Sequence, residues 1–347
     1  MNGGTERGGG PAARPLLLVL SLVVLLALLC LLSLGLGARD IPPGQVLRTL
    51  LGDAPDQQVE NIIWSARVPR TLVALATGAA LGLSGGLMQA LTRNPLADPG
   101  ILGVSAGAAF GVVLASASFG VASVFGYIWF AFAGALVASV GVYVLGGVGR
   151  SGITPVKLAL AGVALTALLS SLTSAIVLTK PETLNRFRFW SAGSLADTRG
   201  EQLLTVLPFL VLGALLALAC TPALNSLALG EDMATALGRR TGLIRLQGVA
   251  AVTLLTGTAV ALIGPVVFIG LVVPHIARVL AQRAGIGPDH RWLLPVSAAL
   301  APCLMLVADL TGRLVARPVE IQAGVLVAFL GGPFFIALVR RQRLAEV

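Results

Sequence analysis

Long apolar runs alternate with short polar breaks along this chain. Apolar stretches cover residues 16–37, 71–91, a segment carrying Gly103, Gly107 and Gly111, and then 127–146, 158–179, 203–221, 246–263, 266–283, 292–312 and 321–339. A bilayer core asks for about 20 apolar residues per helix, so the rhythm predicts an all-α polytopic membrane protein with about ten transmembrane helices. An even number of spans puts both termini on one side. Basic residues favour the cytoplasm for that side, because the RRQR tail and the Arg239-Arg240 pair then lie inside. The run 266–283 is the weakest span, since it carries His275 and Arg278. The expected organisation is a disordered Gly-rich tail over 1–15, a ten-helix domain over 16–340 and a cytoplasmic tail over 341–347. The first apolar run exceeds the roughly 7–15 residues of a signal-peptide core, so it reads as an uncleaved span.

The stretch Arg67 to Gly107 holds two of these spans joined by a short turn. Gly78, Gly82 and Gly86 fall four apart in the first span, and Gly103, Gly107 and Gly111 repeat the device in the second. Such spacing bares one helix face to a neighbour's backbone. Asn94-Pro95 makes the turn, and Asp98-Pro99 restarts a helix with Asp as N-cap and Pro at the first helical position. Residues 38–66 read as a polar loop with one short helix-like piece, VLRTLL, and 180–202 as a loop of mixed charge.

Composition agrees with a multi-pass membrane protein: 56% of 347 residues are hydrophobic, 11% are charged, and 42 are glycine. A net charge of +9 would suggest nucleic acid in a soluble chain; here basic loops that set topology explain it. Cys30, Cys220 and Cys303 lie in apolar runs without metal or redox spacing, so they read as packing residues.

Candidate chemistry is sparse. The spans hold almost no ionisable groups apart from Asp309 and His275. Ion-coupled carriers need buried carboxylates or broken-helix ion sites. Asp309 stands four residues before Arg313 and can pair with it on a helix; His275 is either a ligand or a hydrogen-bonded histidine near a helix start. No G-x-x-x-x-G-K loop, H-E-x-x-H or nucleophile–base pair is present in the spans, so no catalytic residue, metal site or cofactor is expected. If cargo moves uphill, another subunit supplies the energy. Residues 222–245 suit its attachment. Leu227, Met233, Ala234 and Leu237 recur at helical spacing, and Gly230 and Gly238 punctuate two short helices. The alternative is a helix lying on the membrane surface. Thr166, Ser170, Thr173 and Ser174 place hydroxyls on one face of the fifth span, to line a neutral path or to bond neighbouring helices. Arg67, Arg70 and Arg313 fall at outer span ends, where the topology rule disfavours arginine. Either an acidic partner docks on them from outside, or they reach lipid phosphate.

In these residues the chain resembles the FecCD-type permease subunits of ABC importers for iron–siderophores, haem and vitamin B12. The resemblance rests on R67-V-P-R70-T, on SGGLMQALTRNPLADPGILGVSAGA with Gln89, on LALGEDMATALG, on FIGLVVPHIAR with Pro274 and His275 followed by DHRWLLP, and on ADLTGR. It implies type II importer architecture in a bacterial inner membrane and pairing with a second permease subunit, identical or similar. It also implies two cytoplasmic ATPases that hold the ATP and Mg. An extracytoplasmic substrate-binding protein would dock on Arg67, Arg70 and Arg313. Ala228, Leu229, Gly230, Glu231, Ala234, Leu237 and Gly238 fall on the family's ATPase-coupling helices, and the Thr166–Ser174 stripe on a pathway helix. A ferric siderophore is the implied cargo. The rival expectation is an ion-coupled secondary carrier of a small neutral solute. Arg239 and Arg240 match no pattern.

Overall fold

A computed structural model of the chain describes residues 13–121, 123–148, 154–196, 198–317 and 319–345. Most of the expected N-terminal tail, and part of the loop before the fifth span, lie outside the described residues. Fifteen α-helices follow one another, and no strand occurs among the described residues. Seven helical segments are long and apolar enough to cross a membrane, and two shorter apolar helices accompany them. This is a multi-pass membrane protein.

The first helix, α1 (Ala13–Gly35), shows lipid-type side chains on nearly all sides. The expected loop 38–66 is instead largely helical. It forms α2 (Pro43–Leu50) and α3 (Gln57–Asn61), and Asp56 caps α3 by accepting the Val59 N–H at 2.7 Å. The chain then passes through one π-helical segment, Ile62–Arg67, straight into α4 (Val68–Thr92). Isolated π turns are rare and are frequent at functional sites. This one ends at Arg67, whose side chain is buried.

The central helix is α4. Residues Gly78, Gly82 and Gly86 face α14 (His290–Val315), where an added Cβ would collide with Pro302, with the Ser297 backbone and with Leu294 respectively. Gly85 meets Gly270 of α13 (Ile269–Arg283) in the same way. Lipid offers no hydrophobic drive between helices, so this backbone-to-backbone approach is what holds them. Both stretches that spell G-x-S-x-G, 82–86 and 103–107, lie on or against such helices. Ser84 is mid-helix and bonds the Leu81 carbonyl at 3.1 Å, not a strand-to-helix elbow.

After Arg93 the Asn94 carboxamide accepts the Leu96 N–H, Asp98 accepts the Gly100 N–H, and a 3-10 turn (Pro99–Leu102) leads into α5 (Val104–Phe119). Gly107 and Gly111 pack on the backbone of α6 (Val124–Gly147). Next come α7 (Pro155–Thr179) and α8 (Pro181–Ser191), the latter where a charged loop was expected. Pro181 at its start, Glu182 in its first turn and Arg188 in its last suit helix ends and the helix dipole. The chain continues through α9 (Gly200–Ala219), α10 (Thr221–Ala228), α11 (Glu231–Ala236) and α12 (Thr241–Ile263). Gly264 and Phe268 take left-handed backbone before α13, so that helix starts at Ile269, three residues later than expected. The last helix is α15 (Ala323–Ala345). In α4, α12 and α14 most residues are buried, whereas α1, α6, α7 and α9 face outward.

Candidate functional site

The bundle has two polar ends with little ionised between them. One gathers the segment around α2, the segment around α8 and the turn that carries Glu320 between α14 and α15. There Arg67, at the end of the π segment, is buried and donates to the carbonyls of Leu34 at 2.6 Å and Gly35 at 2.7 Å, and to that of Arg39. Leu34 and Gly35 lie in the last turn of α1, so the guanidinium caps the helix and meets the negative end of its dipole, while Arg39 lies in the segment that follows. Gly37 leaves the room: a Cβ there would lie 2.9 Å from Arg67 Nη2.

Arg313 is also buried. It donates to the Ser33 carbonyl at 2.9 Å and pairs with Asp309, one turn away on α14 as the spacing suggested. Arg70 holds the same carboxylate with Nε at 3.0 Å and Nη2 at 2.7 Å, and reaches Glu320 with Nη1 at 2.7 Å. The three arginines thus find their partners inside the chain, in Asp309, Glu320 and the end of α1. Only Arg70 (13%) and Glu320 (34%) keep appreciable side-chain exposure. Beside them opens a cavity of about 290 Å³ lined also by Tyr127, Trp190, Ser194 and Gln322.

The other end carries the knob expected from 222–245. Helices α10 and α11 meet at Gly230 (φ 110°), a backbone region that glycine enters at no steric cost, and Gly238 (φ 76°) closes the second helix. Leu224, Leu227 and Ala234 are buried against the bundle; Leu229, Met233 and Leu237 are 56–67% exposed. Ala228 and Gly238 are exposed too, whereas Glu231 is half-buried and pairs with Arg245 and, more exposed, with Arg93.

In between, α13 contains Pro274, which has no N–H for the carbonyl of Gly270 four residues back. Gln89 of α4 donates to that carbonyl at 3.1 Å and accepts from Arg278. His275 lies edge-on to Phe334 with ring centroids 5.9 Å apart. The α7 hydroxyls do not share one environment. Thr173 is buried and Thr166 half-buried, while Ser170 and Ser174 are exposed, because the stripe straddles the border of the buried face.

Residues 25–341 match the model of the FecCD transport family. The chain belongs to the FecCD transport family. It is 48% identical to the ferric enterobactin transport system permease protein FepD of Escherichia coli over 96% of this chain and 98% of that protein. It is 36% identical to the hemin transport system permease protein HmuU of Yersinia pestis over 95% and 97% of the two chains. A solved structure described as an inward-facing metal-chelate type ABC transporter superposes with a TM-score of 0.81 at 31% identity, covering 94% of this chain and 99% of that one. This FecCD member is a transport permease. The residues that sequence reasoning missed are Glu320 and Asn225, each lone polar residues in otherwise ordinary loops or helices.

Proposed function

We propose that this chain forms half of the translocation path of an ATP-driven importer for ferric siderophores in a bacterial inner membrane, with ten spans and both termini in the cytoplasm. ATP is bound and hydrolysed on a separate subunit. The observation that carries this reading is a pairing of features at opposite ends: an apolar, exposed two-helix knob at one and an arginine–carboxylate cluster beside a cavity at the other.

Leu229, Met233 and Leu237 seat in the cytoplasmic ATPase. They are hydrophobic side chains exposed on a turn that faces water in this topology, and such a patch marks a docking surface. A second permease subunit packs against α7, whose open side carries Ala164, Ala167, Ser170, Ser171 and Ser174; small residues suit close helix approach, and the hydroxyls offer an uncharged lining. A substrate-binding protein docks over Arg70 and Glu320, with Arg67 and Arg313 bracing that surface from beneath. Cargo of the ferric siderophore class is supported by the 48% identity to a ferric enterobactin permease over 96% of the chain. Alternating access then follows from ATPase-driven rocking of the two permease subunits.

The test is complementation. A strain lacking its ferric-siderophore permease, but keeping its own ATPase and binding protein, receives this chain, and uptake of radiolabelled ferric catecholate is followed. Uptake supports the cargo assignment; haem or cobalamin uptake in its place overturns it.

A further inference from the structure

The knob has an inner side as well as an outer one, and its polar groups there are not spread at random. Helices α10 and α11 are 8 and 6 residues long, too short to hold their shape without packing. Apolar contacts through Leu224, Leu227 and Ala234 seat them on the bundle, but such contacts are non-directional and tolerate sliding. Two polar side chains add fixed points. Glu231 pairs with Arg245 near the start of α12 and with Arg93 just past the end of α4, the latter at 3.5 Å. Asn225 donates to Asp289 Oδ1 at 2.6 Å and accepts the His290 backbone N–H at 2.9 Å, with His290 Nδ1 also 2.8 Å from its oxygen. Asp289 is the N-cap of α14.

These fixed points therefore reach α4, α12 and α14, one each, and those are the helices most deeply buried in the bundle. Arg93 adds a second sign of purpose. Its φ of 49° puts a bulky residue in left-handed backbone, at the helix end where glycine is the usual occupant. Glycine there would relieve the backbone and lose the pair with Glu231. At its far end α14 carries Asp309 and Arg313, which hold Arg70 and the end of α1. Its 26 residues form one helix of at most about 39 Å, bent where Pro295 and Pro302 each leave a carbonyl without its helical donor, so a shift at Asn225 has one chain segment along which to reach the opposite face.

We propose that Glu231 and Asn225 are positioning residues, the pins through which displacement of the knob is passed to α4, α12 and α14. This rests on the reading of α10 and α11 as the seat of an ATP-hydrolysing subunit. Glu231 is on this account an inward anchor, and the ATPase contacts are left to Leu229, Met233 and Leu237.

The experiment uses the whole importer reconstituted in proteoliposomes with Asn225→Ala, Glu231→Arg, and Glu231→Arg combined with Arg245→Glu. Co-purification of the ATPase subunit, melting temperature, and cargo moved per ATP hydrolysed are measured together. The expected result is that both single variants keep the ATPase subunit while cargo per ATP falls on the order of tenfold, and that the charge swap restores much of it. Unchanged cargo per ATP in both single variants overturns the proposal. So does loss of the ATPase subunit from Asn225→Ala, which would place Asn225 in the docking surface. A deficit that tracks a lowered melting temperature and is not relieved by the swap overturns it too. Failure of the unmodified chain to retain any ATPase subunit would instead remove the reading beneath it.

Discussion

Gln89 and Gly270 meet across the α4–α13 contact, where the Gln89 side-chain amide takes the carbonyl that Pro274 leaves without a helical donor. Gly85 permits the approach, since a Cβ on it would strike the Gly270 backbone. Proline in a membrane helix is tolerated when a neighbour satisfies the freed backbone group. Three separated residues thus form one device: a proline that breaks a hydrogen bond, a glycine that makes room, and an amide that repairs it.

Gln89→Leu removes the repair and leaves the Arg278 guanidinium without its oxygen. The expected cost is about 1–3 kcal/mol, the penalty of unsatisfied buried polar groups. Thermal unfolding of the purified protein in detergent measures it, and Gln89→Glu, which keeps an acceptor for Arg278, is expected to lose less.

Asp309→Ala takes the shared carboxylate from buried Arg313, left with the α1 carbonyls alone, and from half-buried Arg70, left with Glu320. Removing one partner of a buried ion pair costs about 3–5 kcal/mol, so this variant is expected to yield little folded protein. Asp309→Asn keeps one acceptor oxygen of the two, enough for Arg70 or Arg313, and is expected to fold with a smaller loss of stability than Asp309→Ala. If Asp309 were instead a proton-coupling carboxylate, Asp309→Asn would fold and lose all transport, which uptake in vesicles would reveal.

Gly82→Val tests the α4–α14 approach. Its side chain would enter the Ser297 backbone, and neither helix can yield without parting at Gly78 and Gly86 as well. The expected outcome is loss of the monodisperse species in size-exclusion chromatography, whereas Gly44→Val, at a glycine with open space around it, leaves the profile unchanged.

Asp289 fixes the pH range of the knob's attachment. Hydrogen bonds from the Arg291 N–H and from Asn225, with the Arg291 and His290 charges nearby, hold its carboxyl below the usual carboxylate range. A depressed folded-state value means that its contribution is complete above the unfolded carboxylate value of about 3.9 and is lost as pH falls through the folded one. Asp289 is therefore expected to raise proteolysis or hydrogen exchange of the 222–240 segment only below about pH 4, apart from any change on protonation of His290, whose value burial holds below the usual histidine range.

How far the sequence carried these conclusions depended on the range of the interaction. The glycine stripe at 78, 82 and 86, the N-cap at Asp98, the Asp309–Arg313 pair and the two-helix knob with its turn at Gly230 were all legible, because each is decided by residues within a few positions of one another. The partners of Arg67 and Arg70 were not. They lie 28–33 and 239–250 residues away, and a rule about outer-side charge has no means of seeing a helix end that folds back to meet them. Helix α8 was hidden by its charge, although Pro181, Glu182 and Arg188 gave end signals. The Thr166–Ser174 stripe was correctly periodic, but periodicity does not say where the buried face ends.

The central proposal is that this chain has no source of energy of its own and moves only when an ATPase subunit drives it. The most direct measurement is uptake of ferric siderophore into vesicles holding the purified chain, with a proton or sodium gradient imposed, in the presence and absence of the ATPase subunit, ATP and the binding protein. Accumulation only with ATPase, ATP and binding protein together is the expected result. Concentrative uptake by the lone chain under an ion gradient would contradict it.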